Sequence, residues 1–377
     1  MNKKYKIIAD ENMPGIDRLF SDIADITYAN GRDITNKMLL DADALLCRSI
    51  TNVNAALLKD SQVQFVGTAT IGIDHLDVEW LNRQAVAWSN AAGCNAPAVG
   101  QYVLSGISYW CLKNKRSIRD LTVGIVGAGN VGTILASYLD FYGIKYKLCD
   151  PPLQDKGDSR QLTDIQSILK CDVITLHVPI TKEGKYPTYH LISKSRMEKL
   201  NDRQLLINAS RGAVVNNHDL ERYLKNTHSA SCILDVFENE PNINVSVVKN
   251  CLLATPHIAG HTLEGKLRGS WMIYEAFCSK FNEYLKISEE DLYPISNKIE
   301  FSTSLLEDYL LKIFDISFNS DSLKSLSSKE LSSQFDRLRK DATKLSSGTF
   351  RRDYSGWQNI NLNPLFNLPE NKLKKTS

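Results

Sequence analysis

Short apolar runs closed by polar turn residues recur along the first two thirds of the chain, and stretches of helical periodicity separate them. KYKIIAD, DALLCRS and VQFVGTA read as strands, with the helical patterns MPGIDRLFSDI and TNVNAALLKD between them. Strand and helix in alternation predict a parallel sheet, here over residues 1–94. A long helical stretch, APAVGQYVLSGISYWCLK, then leads into a second series: LTVGIV, YKLCD, DVITLHV, QLLINAS, SCILDVF and LLATPH. Helical segments around 131–142, 190–199 and 217–225 lie between these runs, which is a doubly wound pattern. Beyond LRGSWMIYEAFCSKFNEYLK, past about residue 286, the chain turns Ser-rich and the alternation stops. Its amphipathic stretches, SLLEDYLLKIFDI and SSQFDRLRKDATKL, need a partner surface.

Composition narrows the class. The chain has 377 residues, 43% of them hydrophobic, so it can bury a core in two or three domains. Its 45 Lys plus Arg against 43 Asp plus Glu leave a formal charge of +2, which gives no electrostatic footprint for nucleic acid or an anionic membrane. No apolar run approaches the roughly 20 residues of a spanning helix, and the opening MNKKYKIIADENMPG is interrupted too early for a signal peptide. The eight cysteines include no CxxC pair, so neither a metal site nor a disulfide framework is expected. The expected setting is the reducing cytoplasm.

The strongest local chemistry follows LTVGIV. Gly127, Gly129 and Gly132 form GxGxxG between that strand and the helical segment VGTILASYLDFYG, with Asn130 and Val131 inside the motif. The first glycine permits a tight turn, the second lets a diphosphate approach the backbone, and the third lets helix pack on strand. The anion then rests on the helix amino terminus. Asp150 closes the next strand at about the 20-residue offset of a ribose-binding carboxylate, and its charge repels a 2′-phosphate. NAD is therefore expected rather than NADP.

Ligands of open α/β sheets bind beyond the carboxyl ends of the strands. QLLINAS is followed by Arg211, SCILDVF contains Asp235 and runs on to Glu240, and LLATPH ends at His257. An imidazole titrates close to working pH and suits a base that takes a hydroxyl proton. Glu240 is its candidate orienting partner. Arg211 offers a planar fork for a carboxylate, and Asp235 is a candidate contact for a nicotinamide carboxamide.

NASRGAVVN, LDVFENEP and TPHIAGHT, with RSITNVN and VGTATIGIDHLD earlier, resemble the signature segments of the D-2-hydroxyacid dehydrogenase family over nearly all of residues 1–285. That resemblance implies an α/β protein with two doubly wound parallel-sheet domains. A Rossmann NAD-binding domain, 95–259, would be inserted in a flavodoxin-like substrate domain, 1–94 completed by 260–285, with catalysis in the cleft between. It gives Arg211, Glu240 and His257 the catalytic positions. It also makes Val178, Ala209, Ser210, Arg211, Asp235 and Gly260 cofactor contacts beside the glycine motif and Asp150. Ser49 and Thr70 resemble the substrate contacts of the first domain. His261 stands where one branch of the family commonly has a substrate-binding tyrosine.

DENMP, GCNA, HIAGHTLEGKLRG and a tail with FDRLRK and RRDYS are similar to that same branch, which oxidises a phosphorylated four-carbon 2-hydroxy acid on the way to pyridoxal 5′-phosphate. The branch implies that 286–377 form a small α+β dimerisation domain, hence a homodimer. Arg48, Lys266 and Arg268 are candidate cations for the phosphate, and none is specific by sequence. The rival readings are a 3-phosphoglycerate-type dehydrogenase and, from another class, a non-catalytic NAD(H)-sensing module.

Overall fold

In the computed structural model, which describes residues 4–227, 231–293, 305–342, 351 and 353, the apolar runs become strands. Most are buried on both faces, as strands of parallel sheets are. β1 (Tyr5–Asp10), β2 (Ala24–Ala29), β3 (Ala44–Cys47), β4 (Phe65–Thr68) and β5 (Ala87–Asn90) form an all-parallel sheet in the order β2-β1-β3-β4-β5. The second sheet contains β6 (Thr122–Val126), β7 (Lys145–Cys149), β8 (Val173–Leu176), β9 (Leu205–Asn208), β10 (Ser231–Leu234) and β11 (Leu253–Ala254). Its order is β11-β10-β9-β8-β6-β7, again all parallel. The chain steps from β6 to β7 on one side and then to β8 on the other, so the topological switch point lies between the ends of β6 and β8.

The chain divides into two compact units, residues 1–95 with 262–296, and residues 96–261 with 297–377. In the first unit the helix Leu263–Phe281 covers one sheet face, and Phe277 meets Phe20 and Phe65 edge-on at 5.2 and 5.7 Å. Thr262 starts this helix by accepting the Gly265 N–H on its hydroxyl. In the second unit the helix Ala96–Lys113 is buried almost all round, against the sheet and the helices Asn130–Tyr142 and Leu306–Ile313.

The described residues of the carboxyl-terminal region form three helices, Leu306–Ile313, Ser317–Ser325 and Ser328–Asp341. Their apolar faces find their partner surface on the second unit: Tyr309, Leu310 and Ile316 join one core cluster, and Leu323, Leu331 and Phe335 another. Past residue 293 the described residues contain no strand. The β part of the expected α+β tail, and RRDYS apart from Arg351 and Asp353, lie outside the described residues. Among the described residues no helix is long and apolar enough to cross a membrane, and no cluster of metal-ligating side chains occurs.

Candidate active site

The glycine motif has the shape a diphosphate needs. Gly127 turns the chain with φ +95°, and a Cβ there would lie 2.5 Å from the His177 carbonyl oxygen at the end of β8. A Cβ at Gly132 would lie 2.0 Å from the Gly127 carbonyl oxygen, so only glycine lets the helix come this close to the turn. At Gly129, the N-cap of Asn130–Tyr142, an added Cβ would meet nothing within 4 Å. That open space in front of the first helix N–H groups has room for an anion beside Asn130 and Val131. Val178 packs beside the first glycine, with Cγ1 3.0 Å from where a Gly127 Cβ would stand.

Asp150 follows β7, and its carboxylate accepts the Ala128 N–H at 2.9 Å and the Leu153 N–H at 3.1 Å. It thus clamps the glycine turn and caps the next short helix, and each oxygen keeps acceptor capacity for a ribose hydroxyl. The residues present fit a dinucleotide.

β9, β10 and β11 end level, with Asn208 paired to Leu234 and Leu234 to Ala254. Residues just beyond these ends therefore emerge on one edge, with strand axes about 4.8 Å apart. The segments after β9 and β10 approach closely: a Cβ at Gly212 would lie 1.9 Å from the Phe237 carbonyl oxygen. Arg211 is exposed, donates from Nη1 to the Ser210 carbonyl at 2.8 Å and has no ion pair among the described residues. Ser210 turns inward and donates its hydroxyl to Asn208 Oδ1 at 2.8 Å, while Ala209 packs partly on the core.

His257 and Glu240 are brought together: Nδ1 lies 2.7 Å from Glu240 Oε2, and Glu240 Oε1 accepts the Phe237 N–H at 2.8 Å. The carboxylate is an acceptor, so Nδ1 carries the proton and the lone pair rests on Nε2. Among the described residues no protein group is bonded to Nε2. His257 holds this pose with φ +56°, a left-handed conformation uncommon outside glycine.

Asp235 is almost fully buried, at 1% exposure. Its carboxylate accepts from the Thr255 hydroxyl, the Ile258 N–H and the Ala259 N–H at 2.7, 2.7 and 2.9 Å. Burial pushes its carboxyl up, against the pull of His257 and those hydrogen bonds. Asp235 is thus first a brace of the turn that carries His257, with about one acceptor position left for a cofactor group. Tyr102, whose hydroxyl lies 2.7 Å from Thr255 Oγ1, extends the brace. Sequence reasoning missed Thr255 and Tyr102, because their roles depend on contacts between distant segments.

A second imidazole–carboxylate pair, His190 Nε2 to Glu238 Oε1, also measures 2.7 Å. It is closed on every side: Glu238 Oε2 takes the Asn217 N–H, and His190 Nδ1 faces the Asn216 amide at 3.2 Å. His257, with a nitrogen to spare, is the better base.

In the first unit Ser49 follows β3 and is exposed, and Thr70 follows β4. The Thr70 hydroxyl donates to the Gly72 carbonyl at 2.9 Å and lies 2.8 Å from that of Thr68. Arg268, a candidate phosphate cation by sequence, is held inside the first unit. It is buried, with Nε on Glu289 at 2.7 Å and Nη1 on the Cys94 carbonyl at 2.5 Å. Arg48 and Lys266 have no ion pair among the described residues; burial and the Arg48 charge both push the Lys266 ammonium down. Gly260 and His261 close the turn after His257, the His261 N–H donating to the Ile258 carbonyl at 2.9 Å.

Known proteins resemble this chain in sequence and in fold. Residues 107–259 match the family described as D-isomer specific 2-hydroxyacid dehydrogenase, NAD binding domain. The chain is 40% identical over 366 residues to an erythronate-4-phosphate dehydrogenase of Proteus mirabilis, covering 95% of this chain and 96% of that protein. It is 41% identical over 350 residues to the protein of that name from Marinobacter nauticus, covering 89% and 91%. Its fold resembles an NAD-bound 3-phosphoglycerate dehydrogenase of Entamoeba histolytica, with TM-score 0.60, 23% identity and coverage of 75% and 98%.

Proposed function

The chain belongs to the D-isomer specific 2-hydroxyacid dehydrogenase family, and from that membership we propose that it oxidises 4-phospho-D-erythronate to (R)-3-hydroxy-2-oxo-4-phosphooxybutanoate. The observation that carries the chemistry is the His257–Glu240 pair with Nε2 left open. The substrate rests on relatives of one name across almost the whole chain. NAD, when bound, accepts the hydride from C2 of the substrate. The chain supplies the rest. Glu240 fixes the tautomer of His257, Nε2 takes the hydroxyl proton, and the Arg211 guanidinium, with no ion pair among the described residues, holds the substrate carboxylate. Ser49, Thr70 and His261 are the proposed further substrate contacts, and Arg48 with Lys266 the proposed cations for the phosphate.

The test is NADH formation from NAD with 4-phosphoerythronate and, separately, 3-phosphoglycerate. Turnover of the first and little of the second is expected. The reverse preference would move the chain to the 3-phosphoglycerate-type reading, and no turnover with either to the NAD-sensing one. Lys266→Met is expected to raise KM for 4-phosphoerythronate about 10-fold, the share of one charged hydrogen bond, with KM for NAD unchanged. An unchanged substrate KM would remove Lys266 from the site. We further propose a cytoplasmic homodimer held through the carboxyl-terminal region. Sedimentation should then give twice the 42.4 kDa of one chain, and a single-chain mass would end that assignment.

A further inference from the structure

The turn that carries His257 is held at both polarities of one peptide unit. Asp235 takes the Ala259 N–H at 2.9 Å. The carbonyl of the same unit, that of Ile258, accepts from Nη1 of Arg351 at 2.6 Å. The other fork of that guanidinium, Nη2, donates at 2.9 Å to the Ala98 carbonyl in the first turn of the helix Ala96–Lys113. Arg351 itself is 1% exposed, with its guanidinium carbon 3.7 Å from the centre of the Phe314 ring.

We infer that Arg351 is a positioning residue for the reaction: by tying the Ile258 carbonyl to the Ala98 carbonyl, it keeps His257 in the left-handed conformation that points its imidazole at Glu240. A non-glycine residue stays at positive φ only where its surroundings over-determine it. Here the surroundings are two opposite charges, a carboxylate on the N–H side and a guanidinium on the C=O side. The planar fork matters, because a single ammonium cannot reach two carbonyls in one plane with the same rigidity. The ring of Phe314 shields the cation from water and receives it on its negative face. The Ile258 carbonyl also accepts the His261 N–H, so the loss of Arg351 loosens the turn without leaving that oxygen bare. This inference rests on the assignment of His257 as the base.

The experiment compares full-length wild type, Arg351→Met and Arg351→Lys. A shift of about 1 Å at a reacting group can cost on the order of 10²-fold in rate. Arg351→Met is therefore expected to lower kcat by 10-fold or more while KM for NAD stays within about twofold, and Arg351→Lys should recover part of the loss. A second readout needs no substrate. The low-field imidazole N–H proton resonance of His257, assigned by its loss in His257→Asn, should be present in wild type, broadened or lost in Arg351→Met, and partly restored in Arg351→Lys. If the Met variant does not fold, the Lys variant decides. Wild-type kcat together with an unaltered resonance in either folded variant overturns the inference, whatever happens to Tm, and so does a wild type without the resonance. A wild type that fails to turn over 4-phosphoerythronate sinks the substrate assignment alone, since the resonance still decides the role of Arg351.

Discussion

At the scale of single residues, the division of labour follows from which acceptors are already taken. Glu240 uses one oxygen to fix itself on the Phe237 N–H and the other to fix His257. Asp235, five residues earlier in the chain, spends its oxygens on the turn. His257→Ala is expected to cut kcat by roughly 10² to 10⁴, the usual worth of a general base. Glu240→Gln should cut it less, since an amide can still accept from Nδ1–H but carries no charge to support the imidazolium. Steady-state rates at saturating NAD check this, and a Glu240→Gln loss larger than that of His257→Ala would reassign the base.

At the scale of elements, the glycine turn separates packing from binding. Ala at position 129 meets open space in the protein but fills the room for an anion, whereas Ala at 132 drives its Cβ into the Gly127 carbonyl. Gly129→Ala should therefore fold with nearly unchanged Tm and bind NAD at least about 10-fold more weakly. Gly132→Ala should lose about 3 kcal/mol of stability, the upper range of an overpacked site. Denaturant titration and NAD binding on the same two proteins separate the effects. Equal NAD affinity in Gly129→Ala and wild type would remove that space as the anion site.

At the scale of the whole molecule, buried histidines tie stability to pH. Burial holds His177 down to about 3, from an ordinary 6.5, with its Nδ1 sealed and without a partner among the described residues. His75 is also lowered, first by burial. A group whose folded pKa is depressed in this way binds its proton better when unfolded. Stability is then complete above about pH 6.5 and falls as the pH drops from there toward 3, by up to about 1.4 kcal/mol per pH unit for one such group. Urea unfolding at pH 7 and 5.5 should reveal this slope, and His177→Asn should flatten it. A slope unchanged in that variant would assign the acid sensitivity elsewhere.

Nine of the strands could be located from apolar runs: seven lie inside their sheets, covered on both faces, and the edge strands β7 and β11 still end in buried apolar residues. β2 and β5 escaped that reading. Both are edges of the first sheet, half wet, and ADITYA and AWSN carry no continuous apolar run. The positions of the glycine motif, Asp150, Arg211, Glu240 and His257 beyond strand ends were legible too, since local spacing relative to the strands gives each of them. What sequence could not supply were relations between segments far apart in the chain. These are the choice of His257 over His190 as the open imidazole, the turning inward of Arg268 and Asp235, and the reach of Arg351 to Ile258 and Ala98. Hydrophobic period and turn chemistry act over a few residues and so are written in the local sequence. Which polar atom is already satisfied depends on packing across the chain, and only the folded structure decides it.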